Sequence, residues 1–286
     1  MAIIRRILFP YDFSAQGQQA VPYVSALASR LGARVTLLSV VPPVWEAAPA
    51  AMGPLSGADP VAWIGALRDR LEQALIPDFA GIEVERIADA GDPALRTAAC
   101  AVTKEADLIM MPTHGLGLFR SLVIGSVTAA VLHEAHCPVW TSAHAETQRA
   151  RTLPQTVLCA VDATPEGSAL LRWADEFCRG VGAQLKLLHV VGPVTDWPAL
   201  EREQRLQEQV RQQSHDRIAD VLREVRVTAP LRTAVGNIVD TVADEARQDG
   251  ADLVIIGRGA IAEPFGRLRT HAFGIVQRSP CPVLSV

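Results

Sequence analysis

The chain has 286 residues, of which 49% are hydrophobic and 20% are charged, and its formal net charge is -4. This composition is typical of folded globular proteins, provides enough residues for about two domains, and differs from the polar, highly charged composition of disordered chains. A slightly acidic chain without a concentrated basic segment is not expected to be a general binder of nucleic acids or anionic membranes.

Short apolar runs alternate with longer helical patterns, which is typical of βαβ units and a parallel sheet. In the first half we predict strands near 5–9, 34–41, 82–88, 107–112 and 138–142. Helices are predicted between them, at 16–31, about 60–77, 93–104 and 126–134. Residues 35–41 are almost continuously apolar, as expected for a strand that is covered on both faces.

The second half repeats this alternation, with strands predicted near 156–161, 184–191, 225–234, 252–257 and 282–286. The halves differ after their second strand. Residues 42–60 are rich in Pro, Ala and Gly and predict a flexible loop, which is either a binding loop or a tolerated insertion. The second half instead has a long charged helix at 201–226, whose apolar face packs on its own sheet or on a partner.

Local signals predict where several helices begin and end. Asp92-Pro93 and Thr164-Pro165 each combine an N-cap residue with proline at the first helical position. Gly32 and Gly182 lie where a helix needs a left-handed residue in order to stop. We therefore expect helices to begin after Asp92 and Thr164 and to end before the two glycines.

The two halves are copies of one domain. The first contains Ile7-Leu8-Phe9-Pro10-Tyr11-Asp12 and later Cys137-Pro138-Val139, and the second contains Val157-Leu158-Cys159-Ala160-Val161-Asp162 and later Cys281-Pro282-Val283. A polar linker is predicted at 143–155. We predict two tandem doubly wound α/β domains, 1–143 and 155–286. Each is expected to be Rossmann-like, with a five-stranded, mostly parallel sheet and helices on both faces.

The N-terminal residues and the cysteines predict a cytoplasmic location. Residues 1–6 run straight into a strand, too short for a signal-peptide core and without a cleavage site. Apolar runs do not approach the ~18 residues that cross a bilayer. The five cysteines are scattered, without zinc or redox spacing, as in a reduced compartment. Cys137 and Cys281 begin the last strand of each half, where we expect buried, unreactive thiols.

A nucleotide site is predicted in the first half. In open parallel sheets, ligands bind at the carboxyl ends of the strands where the strand order reverses. Three strand ends and a glycine-rich loop that opens a helix meet there. Glycines allow close approach to phosphate, free N–H groups at a helix start favour anions, and apolar residues form a slot for a base. The predicted nucleotide-binding residues are Pro10, Tyr11, Asp12, Val40, Met111, Pro112, Thr113, His114, Gly115, Gly125, Ser126 and Val127.

Individual roles follow from residue type. The N–H groups of Gly125, Ser126 and Val127 are expected to be free and to face phosphate. Asp12 is expected to accept hydrogen bonds from ribose hydroxyls or a base edge, although Asp12 and its counterpart Asp162 are also candidates for merely bracing the turn after the first strand. His114 either contacts phosphate or caps the loop.

At these residues the chain resembles the universal stress protein family, in its tandem-domain form. The family's nucleotide motif is a glycine, two residues, a second glycine, nine residues and then Gly-Ser or Gly-Thr; here Gly115 is the second glycine and Gly125-Ser126 closes the motif. Pro112 replaces the first glycine and has no N–H, so a backbone contact there would come from its carbonyl or from Thr113. The resemblance covers nearly the whole chain twice and implies the adenine nucleotide alpha hydrolase-like form of this fold.

The resemblance implies a cytoplasmic protein that binds ATP in its first domain, with or without Mg²⁺. It further implies action in a stress response through nucleotide-dependent contacts with a protein partner, and a homodimer is expected. Two alternatives stay open: a nucleotide-free scaffold, and an enzyme or weak ATPase of the same fold. The Ser-Gly-Gly-rich loop of ATP pyrophosphatases is missing after the first strand, and we identify no general base or nucleophile.

The second half has lost the phosphate-facing part of the motif. It keeps Gly257 but has Ala260 at the second glycine and Thr270-His271 in place of Gly-Ser, so we expect it not to bind ATP in the family's manner. Arg258, Arg267 and Arg269 lie nearby, and we favour a solvated basic surface over recruitment of another anion. The run from His133 to Cys137 is interpreted as a helix end and not as a metal site.

Overall fold

A computed structural model of the chain describes residues 3–42, 60–113, 124–142, 152–192, 200–258 and 270–286. The chain divides into two compact units, one formed by Ile4–Leu153 and the other containing Pro154–Val286. None of the helices in the described part of the chain combines the length and the apolar character that crossing a membrane requires.

The first unit alternates strands and helices. Its strands are β1 (Arg6–Pro10), β2 (Arg34–Val41), β3 (Val84–Ala90), β4 (Leu108–Pro112) and β5 (Val139–Ser142). Its helices are α1 (Ala15–Leu31), α2 (Pro60–Gln73), α3 (Pro93–Thr103) and α4 (Ser126–Glu134). The strands pair in parallel in the order β3-β2-β1-β4-β5. The order therefore reverses between β1 and β4, which is where ligands bind in such sheets.

The second unit repeats this architecture. Its strands are β6 (Thr156–Ala160), β7 (Gln184–Val191), β8 (Leu231–Val235), β9 (Leu253–Ile256) and β10 (Val283–Ser285). Its helices are α5 (Pro165–Val181), α6 (Leu200–Val225), α7 (Ile238–Gln248) and α8 (Thr270–Arg278). The parallel order is β8-β7-β6-β9-β10, and the reversal lies between β6 and β9. The predicted α/β fold, with a parallel sheet and helices on both faces in each half, is confirmed.

Most predicted element boundaries lie within a few residues of the structure, and the predicted caps are present. The Asp92 carboxylate accepts from the amides of Ala94 and Leu95, both at 2.9 Å. The Thr164 hydroxyl accepts from the Gly167 amide at 3.1 Å. Gly32 and Gly182 follow α1 and α5 in left-handed conformations, with φ of 64° and 83°. The left-handed conformation favours glycine at both helix ends, for the reason that the sequence indicates.

Two predicted boundaries are wrong. The strand expected at 225–234 begins only at Leu231, because α6 continues to Val225 and is followed by Arg226, whose φ is 59°. The alternation of Val225, Arg226 and Val227 is typical of a strand, but the Val227 amide instead donates to the Leu222 carbonyl at 3.1 Å and closes the helix. Likewise, the helix expected to reach residue 77 ends at Gln73 and is followed by turns.

One carboxylate holds the amino end of each sheet. The Asp107 Oδ2 atom accepts from the backbone amides of Arg5 and Arg6, both at 2.9 Å, and so joins the start of β4 to the start of β1. Asp252 does the same in the second unit, where its Oδ2 accepts from Gln155 at 3.0 Å and Thr156 at 3.1 Å. The sequence shows that these two aspartates correspond, but it does not indicate this role.

The cysteines of the second unit lie in its core. Cys159 on β6 and Cys178 on α5 are 0% and 2% exposed, and burial raises the pKa of the Cys178 thiol to about 12 and that of Cys159 further. Cys281 is buried as predicted, whereas Cys137 is half-buried. Buried neutral thiols are weak nucleophiles.

We expect the thiols of Cys159 and Cys178 to react with a disulfide reagent at pH 8 at least about 100-fold more slowly in the folded protein than after denaturation. The folded state keeps both thiols protonated, while the unfolded chain ionises them near the ordinary value of 9.0. The free energy of unfolding should therefore fall as the pH rises above 9, and this fall should be smaller in Cys178→Ala. Thiol counting and urea unfolding from pH 7 to pH 10 measure both effects, and rapid labelling of Cys178 at pH 8 would contradict them.

Candidate functional site

The first unit brings most of the predicted site residues to one edge of its sheet. β1 lies between β2 and β4, so Pro10, Val40 and Met111 all stand at the carboxyl ends of neighbouring strands. The start of α4 follows at Ser126. His114 and Gly115 lie outside the described residues. The edge therefore combines apolar strand ends with a helix N-terminus, as a nucleotide site requires.

Tyr11 supports this edge from within. Its amide donates to the Leu38 carbonyl at 2.8 Å and its hydroxyl donates to Gln18 Oε1 at 2.7 Å. The side chain is only 6% exposed, and burial raises the pKa of its hydroxyl although Arg70 opposes the shift. The amide and the hydroxyl of Tyr11 thus both donate within the unit, which leaves chiefly the edge of its ring for a ligand.

Asp12 is exposed and braces the turn after β1. Its Oδ1 atom accepts from the Ser14 amide at 3.0 Å, and the corresponding Asp162 accepts from the Thr164 hydroxyl at 2.6 Å. Both aspartates therefore make the bracing contact that was one of the two roles considered for them. Phe13 next to Asp12 has a φ of 58°, which a bulky residue rarely adopts, and the Arg70 guanidinium carbon lies 3.9 Å from the centre of its ring.

The start of α4 offers fewer donors than the sequence predicts. The Gly125 amide donates to the Thr113 carbonyl at 2.9 Å, so the expectation that it is free is wrong. The amides of Ser126 and Val127 have no acceptor among the residues that the structure describes, and Ser126 is exposed. Gly125 has φ -58° and ψ 146°, a conformation open to any residue. Two amides of this helix start therefore remain for an anion.

Pro112 and Thr113 tie the end of β4 to its neighbours. The Pro112 carbonyl accepts from the Thr128 hydroxyl at 3.0 Å, and the Thr113 hydroxyl donates to the Ser142 carbonyl at 2.9 Å. Thr113 is 3% exposed. Pro112 takes the place of the first glycine of the family motif. The groups of Pro112 and Thr113 that were expected to contact a ligand are thus already bonded within the unit. They fix β4 to α4 and β5, which keeps the edge rigid.

The second unit has an open cleft at the equivalent edge, with a volume of about 420 Å³. We call it the carboxyl-edge cleft; it is formed by the ends of β6, β7 and β9 and by α5, α7 and α8. Its walls are mostly apolar, and its polar side chains are those of Asp162, Thr164, Glu166, His189, Arg258 and His271. Of these, sequence reasoning missed His189 and Glu166, because no motif marks them.

Arg258 corrects one prediction. It was expected to belong to a solvated basic surface, but it is only 7% exposed and lines the carboxyl-edge cleft. Its backbone amide donates to the Val286 carbonyl at 3.0 Å, which places it at the ends of β9 and β10. Arg267 and Arg269 lie outside the described residues. A charged side chain becomes buried in this way through the packing of distant strands, which local sequence does not reveal.

One wall of the carboxyl-edge cleft depends on close contact between the start of α5 and the turn after β6. At Gly167, in the first turn of α5, an added Cβ would overlap the carbonyl oxygen of Asp162 and lie 3.1 Å from its carbonyl carbon. At the corresponding Gly17 an added Cβ would lie 3.0 Å from the side-chain Oδ1 of Asp12. Glycine thus lets α5 begin directly against the turn that carries Asp162.

The described residues contain no group of three or more His, Cys, Asp and Glu side chains that could hold a metal ion. In the last turn of α4, His133 is exposed and its Nδ1 atom lies 3.0 Å from Glu134 Oε1.

Comparisons with known proteins agree in one family. A model of the group described as the universal stress protein family matches residues 4–142 and 154–286. A universal stress protein of Mycolicibacterium smegmatis is 26% identical to this chain over 203 residues. The match covers 68% of this chain and 66% of that protein, just under two thirds of its length. A universal stress protein of Thermus aquaticus is 33% identical over 143 residues, 48% of this chain and 97% of that protein.

Solved structures show the same fold. A universal stress protein from Archaeoglobus fulgidus is similar with a TM-score of 0.71 at 20% identity, and the match covers 98% of this chain and 97% of that chain. A putative universal stress protein from Pseudomonas aeruginosa is similar with a TM-score of 0.66 at 17% identity, over 99% and 93% of the two chains. At these identities the likeness concerns architecture alone.

Proposed function

Because the chain belongs to the universal stress protein family, we propose that its first unit binds ATP and that nucleotide occupancy controls contacts with a protein partner during a stress response. We place this activity in the cytoplasm and in a homodimer. The nucleotide is proposed to bind with or without Mg²⁺. Residues at the carboxyl edge would hold it: apolar strand ends against the base, Asp12 near the ribose, and Ser126 and Val127 near the phosphates.

The observation that carries this proposal is the start of α4. Its amides at Ser126 and Val127 have no acceptor within the described part of the chain, and they stand at the edge where β1 and β4 diverge. A helix N-terminus with free amides favours phosphate through hydrogen bonds and through the helix dipole. The exposed Ser126 hydroxyl adds a further donor.

A second candidate function is a scaffold that works without nucleotide. It is supported by the internal bonds of Gly125 and Pro112, which leave less backbone for a ligand than the family motif would. A weak ATPase is the third candidate. It would be supported by phosphate release that disappears in Asp12→Ala.

We expect isothermal titration with ATP and Mg²⁺ to give about one site per chain. We expect Ser126→Glu to lower the affinity for ATP at least about 100-fold. A glutamate at this position brings negative charge beside the phosphates, and two unit charges about 5 Å apart repel by roughly 3 kcal/mol at an effective dielectric constant of ~20. The same glutamate in the first turn of α4 is compatible with the helix dipole, so the variant should fold.

The duplicated chain supplies the matched control. His271 corresponds to Ser126 at the start of α8 and is also exposed, so His271→Glu should leave ATP binding unchanged. Absence of binding heat, together with absence of nucleotide in the purified protein, would favour the scaffold. An equal loss of ATP affinity in Ser126→Glu and His271→Glu would show that the effect of Ser126→Glu does not arise at the start of α4.

A further inference from the structure

We propose that the outer face of α3 binds α3 of a second copy of the chain, so that the two helices pack antiparallel about a two-fold axis. The face is formed by Leu95, Ala98, Ala99 and Val102, and we call it the α3 stripe. The proposal rests on the homodimer proposed above and names a surface for it, but it does not depend on ATP binding.

The α3 stripe exposes large apolar side chains to water. Leu95 and Val102 are 62% and 59% exposed, and Ile76 is the only other large hydrophobic residue in the described part of the chain that is more than half exposed. Leu95 and Val102 lie seven residues apart on one helix, which is about two turns, so they share a face. Ala99 between them is exposed as well. A continuous apolar patch of this kind indicates a contact surface, whereas a single exposed apolar side chain does not.

The corresponding helix of the second unit is polar at the same positions. α3 and α7 begin after equivalent N-cap residues, so their positions correspond one to one. The residues of α7 that align with Leu95, Ala99 and Val102 are Asp240, Asp244 and Arg247. All three are exposed and make ion pairs within their unit, Asp240 with Arg278 and Asp244 with Arg247. The fold therefore does not require an apolar outer face on this helix, and the α3 stripe is specific to the first unit.

The α3 stripe is complementary to itself. The midpoint between Leu95 and Val102 falls between Ala98 and Ala99, so two large side chains lie at equal distances on either side of two small ones. A two-fold axis through this midpoint sets Leu95 of each copy against Val102 of the other. The alanines at the crossing point let the helix axes approach closely. Because α7 has charged side chains at the matching positions, it does not suit the stripe, and a second α3 does.

The charges around the α3 stripe do not oppose the pairing of two identical surfaces. Arg96 beside the stripe is balanced by Asp89, with 3.7 Å between Nε and Oδ2, and Lys104 at the end of α3 forms an ion pair with Glu85. Antiparallel packing also places the first turn of each helix beside the last turn of the other, where the helix dipoles attract. Electrostatics therefore favours the antiparallel over the parallel arrangement.

The size of the α3 stripe limits the strength of the dimer. α3 has 11 residues, so its length is about 16 Å. Two helices of this length bury less than the roughly 800 Å² per partner that is typical of stable complexes. We therefore expect a weak dimer whose population rises with protein concentration.

The test is sedimentation of the whole chain without nucleotide over a range of concentrations, together with two variants that carry the residues of α7. Leu95→Asp places an acid in the first turn of α3 and Val102→Arg places a base in the last turn, so both suit the helix dipole and should fold. We expect each to raise the Kd of the dimer at least about tenfold, because the two-fold axis repeats each change. Asp240→Ala, at the position of α7 that matches Leu95, should leave the Kd unchanged.

Mixing the two variants tests the antiparallel register. In the mixed pair the new acid of one copy faces the new base of the other, while the remaining Leu95 faces the remaining Val102. An equimolar mixture of Leu95→Asp and Val102→Arg should therefore dimerise at least about tenfold more tightly than either variant alone. A chain that stays monomeric would leave the stripe to a different partner, and a dimer that neither variant weakens would place the homodimer elsewhere. Either result, or no gain on mixing, would overturn the proposal.

Discussion

Replacing Gly167 with alanine is expected to destabilise the second unit by about 3 kcal/mol, at the upper end of the usual cost of overpacking. The new Cβ would overlap the carbonyl oxygen of Asp162, which is backbone and cannot rotate away. Relief requires α5 to move from the turn after β6, and this breaks the bond from the Gly167 amide to the Thr164 hydroxyl. Thermal unfolding should show a lower Tm, by about 10 °C for a unit of this size.

Gly17→Ala is the matched control in the first unit. There the Cβ would approach side-chain atoms and no backbone atom: Asp12 Oδ1 at 3.0 Å, and Ser14 Oγ and Tyr11 Cδ2 both at 3.3 Å. Shifts of a few tenths of an ångström in these side chains relieve the contacts. We expect a loss below about 1 kcal/mol, since alanine also favours the helix by about as much. Similar losses of stability in Gly167→Ala and Gly17→Ala would show that overlap with the Asp162 carbonyl does not cause the destabilisation.

Asp107→Ala is expected to lower the free energy of unfolding of the first unit by about 3 kcal/mol. The substitution removes a charged acceptor from two backbone amides, those of Arg5 and Arg6, and hydrogen bonds to charged groups contribute about 1.5 to 3 kcal/mol each. Partial exposure of these groups to water keeps the total below the sum. Urea unfolding measures the change, and Asp252→Ala should produce a similar loss in the second unit.

Asp107→Asn separates hydrogen bonding from negative charge. The amide oxygen of asparagine still accepts from both backbone amides, so the loss should be less than half of that in Asp107→Ala. An equal loss in the two variants would mean that the negative charge, and not the pair of hydrogen bonds, stabilises the start of β1.

The fold could be predicted from the sequence because its signals are local and are repeated. Continuous apolar strands such as 35–41, the caps at Asp92 and Thr164, and the stops at Gly32 and Gly182 each depend on a few neighbouring residues. The boundary near Val225 was wrong because a short alternation of Val and Arg fits the end of a helix as well as a strand. Tertiary packing decides between them.

The site was less predictable because its details join residues that are distant in sequence. The bond from Gly125 to Thr113, the burial of Arg258 and the direction of His189 all arise from how the strand ends meet. The motif located the edge of the sheet, and it pointed to Ser126 and Val127, whose amides have no acceptor among the described residues. It could not indicate that Gly125 is already bonded, since only the folded chain brings the Thr113 carbonyl to it.

That hydrogen bond between Thr113 and Gly125 also fixes the distance between the end of β4 and the start of α4. The bond holds the two ends of residues 114–124 together, while the bonds of Thr113 to Ser142 and of Pro112 to Thr128 anchor them to the unit. Doubling the length of a loop between fixed ends costs only about 0.6 kcal/mol in closure entropy. A different chain length between residues 113 and 124 would therefore add little closure entropy, whereas a change of Ile124 itself, which is 7% exposed, would remove a core side chain.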